Sequence, residues 1–142
     1  MCGIAGIIAS HGTQPFPDII QSMTDAVAHR GRDDQGIWSQ GAVAFGHRRL
    51  SIIDLSELGR QPMADEQTGC VVTYNGEIYN YIELRNELVA LGHQFRSGSD
   101  TEVLLKAYEQ WGPDCVRKFN GMWAFAIFDP HRNVVFCSRD RF

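Results

Sequence analysis

Several features that define other protein classes are missing from this chain. No stretch approaches the ~20 apolar residues of a membrane span. Residues Met1 to Ala9 are apolar, but no positive flank precedes them and His11-Gly12 interrupts them, so they do not read as a secretory signal. Basic residues are few and scattered. The 13 Lys and Arg against 17 Asp and Glu give a net charge of −4, with no basic stripe for nucleic acid. Arg30-Gly31-Arg32 and His47-Arg48-Arg49 read as solvated loops rather than phosphate grips. The four cysteines, Cys2, Cys70, Cys115 and Cys137, fit no common zinc spacing. A cytoplasmic, reducing address argues against a disulfide framework. Cys70, Cys115 and Cys137 then read as small buried hydrophobes. There is no internal repeat and no low-complexity tract. Membrane protein, nucleic-acid binder and structural metal domain are all disfavoured.

What is present suits one soluble domain spanning residues 1–142, large enough to bury a core without staples. Ile4 to Ala9 is short, apolar and rich in Ile, which predicts a buried strand. Pro17 opens a helix with Ile19, Ile20, Met23, Ala26 and Val27 at helical spacing, and Gly31 stops it. Gly41 to Gly46 and Leu50 to Asp54 read as strands around a polar joint, His47-Arg48-Arg49. Ser56 to Thr68 reads as a linker. Cys70 to Tyr74 is a strand. Tyr81, Leu84, Leu88 and Leu91 mark a helical face closed by Gly92. Asp100 begins a helix with Val103, Leu104, Ala107, Tyr108 and Trp111 inward, capped by Ser99 or Asp100. Met122 to Asp129 is apolar on both faces, hence deeply buried. It turns through Pro130 to Asn133 into Val134 to Ser138. Strands and helices fall in separate groups, which predicts antiparallel sheets with helices outside, an α+β fold.

Cys2 is the sharpest chemical feature. Removal of Met1 would leave a thiol whose own backbone amine is the chain terminus. An α-amine with a pKa near 8 is partly free base at neutral pH and can take the thiol proton. With Met1 retained, that nitrogen is an amide and the chain is an inactive precursor. Asn75-Gly76-Glu77 after a strand is equally a hairpin turn or a pair of donors converging on one point, an oxyanion hole. Arg49 could fork onto a carboxylate or form a surface ion pair. Asp100 is a helix cap or a site for a substrate ammonium, and both roles coexist only if Ser99 does the capping. The five histidines read as structural or exposed. A Cys–His pair using His29 or His47 has no local signature.

Taken in order, Met1-Cys2-Gly3-Ile4-Ala5-Gly6, His29-Arg30-Gly31, Gly46-His47-Arg48-Arg49-Leu50-Ser51-Ile52-Ile53-Asp54, Tyr74-Asn75-Gly76-Glu77-Ile78-Tyr79-Asn80, Ser97-Gly98-Ser99-Asp100-Thr101-Glu102 and Gly121-Met122-Trp123-Ala124-Phe125-Ala126 resemble one family across the whole chain. It is the class II glutamine amidotransferase domain, most like that of glutamine-hydrolysing asparagine synthetases. The resemblance implies a four-layer αββα sandwich of the N-terminal-nucleophile hydrolase type. It implies that Cys2 attacks the side-chain amide of L-glutamine, with Asn75 and Gly76 holding the oxyanion. Arg49 would clamp the substrate carboxylate, Asp100 and Glu77 its ammonium, and the backbone around Leu50, Ile52 and Ile53 would line the pocket. No metal or cofactor is implied for this domain. ATP and Mg2+ are expected only in a synthetase domain on the same longer chain, which would use the ammonia to make asparagine from aspartate, in a full-length homodimer. Arg32 stands where the family commonly has Pro. The end at Arg139-Asp140-Arg141-Phe142, directly after a strand, reads as a cut chain lacking the last strands of its sandwich. Weak stability of the fragment is the corresponding expectation. The competing readings are another class II amidotransferase with a different ammonia acceptor, a non-catalytic glutamine-binding fragment, and a Cys–His peptidase.

Overall fold

Alternating side chains give each strand two faces, and in this chain both faces of both sheets are used. The structure, a computed structural model, describes residues 2–10, 17–51, 53 and 56–141. Its first sheet consists of β1 (Gly3–Ile8), β2 (Asp34–Gln40) and β3 (Val43–Arg49), in the antiparallel order β1-β3-β2. The second consists of β4 (Met63–Ala64), β5 (Val71–Ile78), β6 (Gly121–Asp129) and β7 (Val134–Arg139), antiparallel in chain order. Helix α1 (Pro17–Ala26) covers the outer face of the first sheet. Helices α2 (Tyr81–Ala90) and α3 (Asp100–Trp111) cover that of the second. The four layers are those of the αββα sandwich expected.

Period-2 burial explains the layering. On β3, Val43 and Phe45, with Trp38 of the neighbouring β2, face the second sheet, where they meet Val71 and Phe128. The Trp38 ring lies 5.6 Å from Phe45 and 5.5 Å from Phe128, tilted contacts that add about 1 kcal/mol each beyond area burial. Gly46 faces α1, and a Cβ there would lie 1.9 Å from Thr24 Oγ1. Only a glycine lets helix and sheet approach this closely. On β5, Val72, Tyr74 and Ile78 face the helices and join Leu84, Leu88 and Val103 in the larger core.

Several expectations change. Asp34–Gln40 is a strand, missed because it is a polar edge whose inward side is carried by Trp38. His47 to Arg49 is no joint but the end of β3. His47 is fully buried and Arg49 only 8% exposed, because the second sheet covers them. Leu50 and Ser51 lie outside any strand, and the rest of the expected second strand includes Ile52 and Asp54, outside the described residues. The supposed linker carries β4 and the buried Gln61, Met63 and Asp65. Leu91 lies beyond the end of α2 and is exposed. Met122 is exposed too, so β6 is deeply buried only in its second half. Cys137 sits on the edge strand β7 and is exposed, whereas Cys70 and Cys115 are buried as expected.

His47 binds the two sheets together: its Nε2 lies 3.0 Å from the Tyr74 carbonyl across the interface. A carbonyl can only accept, so Nε2 carries the proton. Burial first, with the Arg49 charge adding to it, lowers the His47 pKa to about 4 from its usual 6.5, although the Tyr74 bond and Asp34 act the other way. The unfolded chain therefore binds this proton more readily. Keeping His47 neutral costs nothing above pH 6.5, and stability falls as pH drops from 6.5 towards 4, by up to about 3 kcal/mol. Denaturant unfolding at pH 7.5 and 4.5 tests this: the wild type should lose more stability between the two than His47→Gln. Parallel losses would contradict it.

Candidate active site

Past Val72, β5 has no strand on one side among the described residues. Strand β4 pairs only Met63 with Val72 and Ala64 with Val71. Backbone groups of a strand alternate between its two edges, so Tyr74, Gly76 and Ile78 present theirs on the side β4 leaves open. The Tyr74 N–H is taken by Gln61 Oε1 at 2.7 Å and that of Ile78 by Asp100 Oδ2 at 3.0 Å. Gly76 lies between them, at the wall of a cavity of about 360 Å³. Asn75-Gly76 is thus not a turn after the strand but part of it, since β5 runs on to Ile78 beside β6. Gly76 is needed by packing: a Cβ would lie 2.2 Å from the Met122 carbonyl oxygen and 2.7 Å from Trp123 Cα.

The cavity gathers residues far apart in the chain. Cys2, Arg49, Leu50, Ile53, Asn75, Gly76, Glu77 and Asp100 all line it, and Ile52 lies outside the described residues. Cys2 is half-buried at the start of β1. Its sulfur receives the Leu50 N–H at 3.3 Å and lies 3.6 Å from the Leu50 carbonyl oxygen. Arg30 Nε donates to the Cys2 carbonyl at 2.9 Å, so the supposed solvated loop at Arg30 helps to fix the thiol. Arg49 reaches the cavity from the end of β3 and donates to the Ser56 carbonyl at 2.9 Å. Among the described residues no histidine bonds Cys2; His47 is committed to Tyr74.

Asp100 stands at the first position of α3. Ser99 does the capping, its hydroxyl accepting the Glu102 N–H, which leaves the Asp100 side chain for other work. Asp100 Oδ2 accepts the Tyr74 hydroxyl at 2.8 Å and the Ile78 N–H. Among the described residues no Arg or Lys forms an ion pair with it. Burial pushes its carboxyl above the usual range, and the bonds from Ile78 and Tyr74 only partly offset that. Burial, then the Asp100 charge, raises the Tyr74 hydroxyl far above its normal range, so it remains a donor. The cavity therefore has a guanidinium at Arg49 and a carboxyl without a cation at Asp100, with a thiol on the same wall. Among the described residues no group of three His, Cys, Asp or Glu could hold a metal ion.

Gln61, Tyr74, Thr101 and Arg30 were not singled out as site residues from the sequence. Their work is done by a side-chain amide, a phenol and a guanidinium gripping backbone, which leaves no periodic signal.

The sequence profile of the glutamine amidotransferase domain matches residues 1–142. Asparagine synthetase [glutamine-hydrolyzing] 3 of Bacillus subtilis is 47% identical over 99% of this chain, which spans 23% of that protein. Asparagine synthetase [glutamine-hydrolyzing] 1 of the same organism is 43% identical over the whole chain, again 23% of its length. The chain thus spans about a quarter of the length of these curated relatives. Among solved structures, glutamine phosphoribosylpyrophosphate amidotransferase from B. subtilis, complexed with ADP and GMP, superposes with a TM-score of 0.58 at 20% identity, covering 96% of this chain and 31% of its own. An allosteric regulatory enzyme of purine biosynthesis gives 0.56 at 23% identity, over 72% of this chain and 24% of its own. Those two likenesses are of fold alone. With its full length matched, the chain belongs to the glutamine amidotransferase domain family.

Proposed function

We propose that this chain hydrolyses L-glutamine to L-glutamate and ammonia with Cys2 as the nucleophile, and that the ammonia serves asparagine synthesis in a longer protein. The observation that carries the reading is the pairing of opposite poles around the thiol. Arg49 and Asp100, which among the described residues has no Arg or Lys ion-paired to it, line one cavity with Cys2, and an amino acid brings the complementary carboxylate and ammonium. A substrate so held would offer its side chain to the sulfur.

The steps follow from the groups present. With Met1 removed, the Cys2 amine takes the thiol proton, and the sulfur attacks the amide carbon. The carbonyl oxygen becomes an oxyanion, held by the Asn75 side-chain amide and the Gly76 N–H. The Cys2 ammonium then gives its proton to the leaving nitrogen, ammonia departs, and a glutamyl thioester remains. Water, deprotonated by the same amine, attacks the thioester, and glutamate leaves with the thiol restored. The proposed site uses no metal. ATP and Mg2+ belong, on this proposal, to a synthetase domain elsewhere on the same chain. The printed names of the relatives support asparagine as the end product. Free cysteines suit a reducing, cytoplasmic setting.

Two outcomes check this reading. Cys2→Ala should lower glutamate release by about 10⁴-fold or more, with the fold intact by circular dichroism. Undiminished release would remove Cys2 from its role. For Asp100→Asn the signs differ between function and stability. Its folded pKa is raised, so the ionised carboxylate opposes folding at neutral pH, and neutralising it should raise the Tm. The same change removes the ammonium's partner and should raise the KM for glutamine about 100-fold. An unchanged KM would contradict the assignment.

A further inference from the structure

The open edge of β5 is held by side chains where a strand would otherwise stand. Tyr74 is the first residue on that edge past the reach of β4. Gln61 Oε1 receives its N–H at 2.7 Å, and His47 Nε2 donates to its carbonyl oxygen at 3.0 Å. The two side chains come from different places. Gln61 precedes β4, and its Nε2 also reaches Thr101 Oγ1 at 3.3 Å, one residue beyond Asp100. His47 lies on β3, in the other sheet. Both are buried, His47 completely and Gln61 to 8% exposure.

The His47 ring carries a cost that needs a reason. Its Nδ1 is buried and has no hydrogen-bond partner among the described residues. An apolar side chain of that size would leave no orphan on the ring, but it would orphan the Tyr74 carbonyl instead. What the imidazole secures is therefore that carbonyl. Its position in the chain matters, because the Tyr74 carbonyl belongs to the same peptide plane as the Asn75 N–H. Gln61 holds the plane before Tyr74 by its N–H and His47 the plane after it by its carbonyl, and gripping these two successive planes sets the direction of the Asn75 side chain. It also sets the orientation of the following plane, which carries the Gly76 N–H. A shift of about 1 Å in such donors can cost about 100-fold in rate.

We infer that His47 and Gln61 are positioning residues for glutamine hydrolysis, acting as a substitute strand that aims the Asn75 amide and the Gly76 N–H at the developing oxyanion. The inference rests on the function proposed above. His47 does not line the cavity, and Gln61, which does, spends its amide on the Tyr74 N–H and the Thr101 hydroxyl. Their loss should act on the transition state, where the oxyanion exists, and spare the binding of glutamine by Arg49 and Asp100.

The test uses the chain with Cys2 at its terminus and the variants His47→Leu, His47→Gln and Gln61→Met, with reactive Cys2 counted by alkylation. His47→Leu should lower kcat per reactive thiol at least tenfold, with the KM for glutamine within about threefold of wild type. His47→Gln, whose Nε2 stands the same number of bonds from the backbone, should recover most of kcat. An aldehyde analogue of glutamine adds a further readout, because its thiohemiacetal with Cys2 places an oxygen where the oxyanion would be. Its affinity should fall in parallel with kcat. If His47→Leu does not fold, Gln61→Met carries the same expectations. A normal kcat per reactive thiol in folded His47→Leu or Gln61→Met would overturn the inference and reduce both residues to fold stabilisers. So would an equal rise in KM and in the aldehyde's dissociation constant. A wild-type chain that releases no glutamate would overturn the parent reading, and this inference with it.

Discussion

Buried backbone groups must find hydrogen-bond partners, and along one edge of β5 they find them in side chains. That constraint organises the whole site. Were β4 longer, it would take the N–H and carbonyl groups of Tyr74, Gly76 and Ile78 as a ladder. Because β4 stops at Met63–Ala64, the edge falls to Gln61, His47 and Asp100. The gap between them exposes Gly76 to the cavity. On its other side β5 is locked to β6 over eight consecutive pairs, from Val71 with Phe128 to Ile78 with Gly121. One edge is rigid so that the other can be left open.

The same economy appears in the electrostatics. Asp100 sits in a buried place that raises its pKa, forms no ion pair with an Arg or Lys among the described residues, and is held there by Tyr74 and Ile78. Arg49 is likewise buried at the end of a strand rather than solvated. The two sheets contribute opposite poles: β3 brings Arg49 and β1 brings Cys2, while β5 brings Asn75 and Gly76, and α3 brings Asp100. Packing of sheet on sheet, through Trp38, Phe45 and Phe128, is what brings these distant segments together.

Much of this was legible from sequence, for identifiable reasons. The helices α1 and α3 and the hairpin β6–β7 follow from periodicity, and the site residues from motifs that stand in register along the chain. Strand β2 was not legible, because an edge strand with Asp34, Gln35, Ser39 and Gln40 has no apolar alternation. His47 and Arg49 continue the inward alternation of Val43 and Phe45, but charge hid it: only the second sheet makes those positions interior. Asn75-Gly76 reads locally as a turn, and what keeps it in a strand is β6, more than forty residues away in sequence. Gln61 lay in a polar stretch that looked like a linker. A side chain that replaces a strand leaves no pattern to read.

The central claim is that Cys2, with its own amine as base, forms a covalent glutamyl intermediate. The direct measurement is rapid mixing of the chain with glutamine, acid quench, and peptide mass spectrometry. The account predicts one glutamyl group as a thioester on Cys2, only in molecules that begin at Cys2. A glutamyl group on another residue, or turnover by molecules that retain Met1, would contradict it.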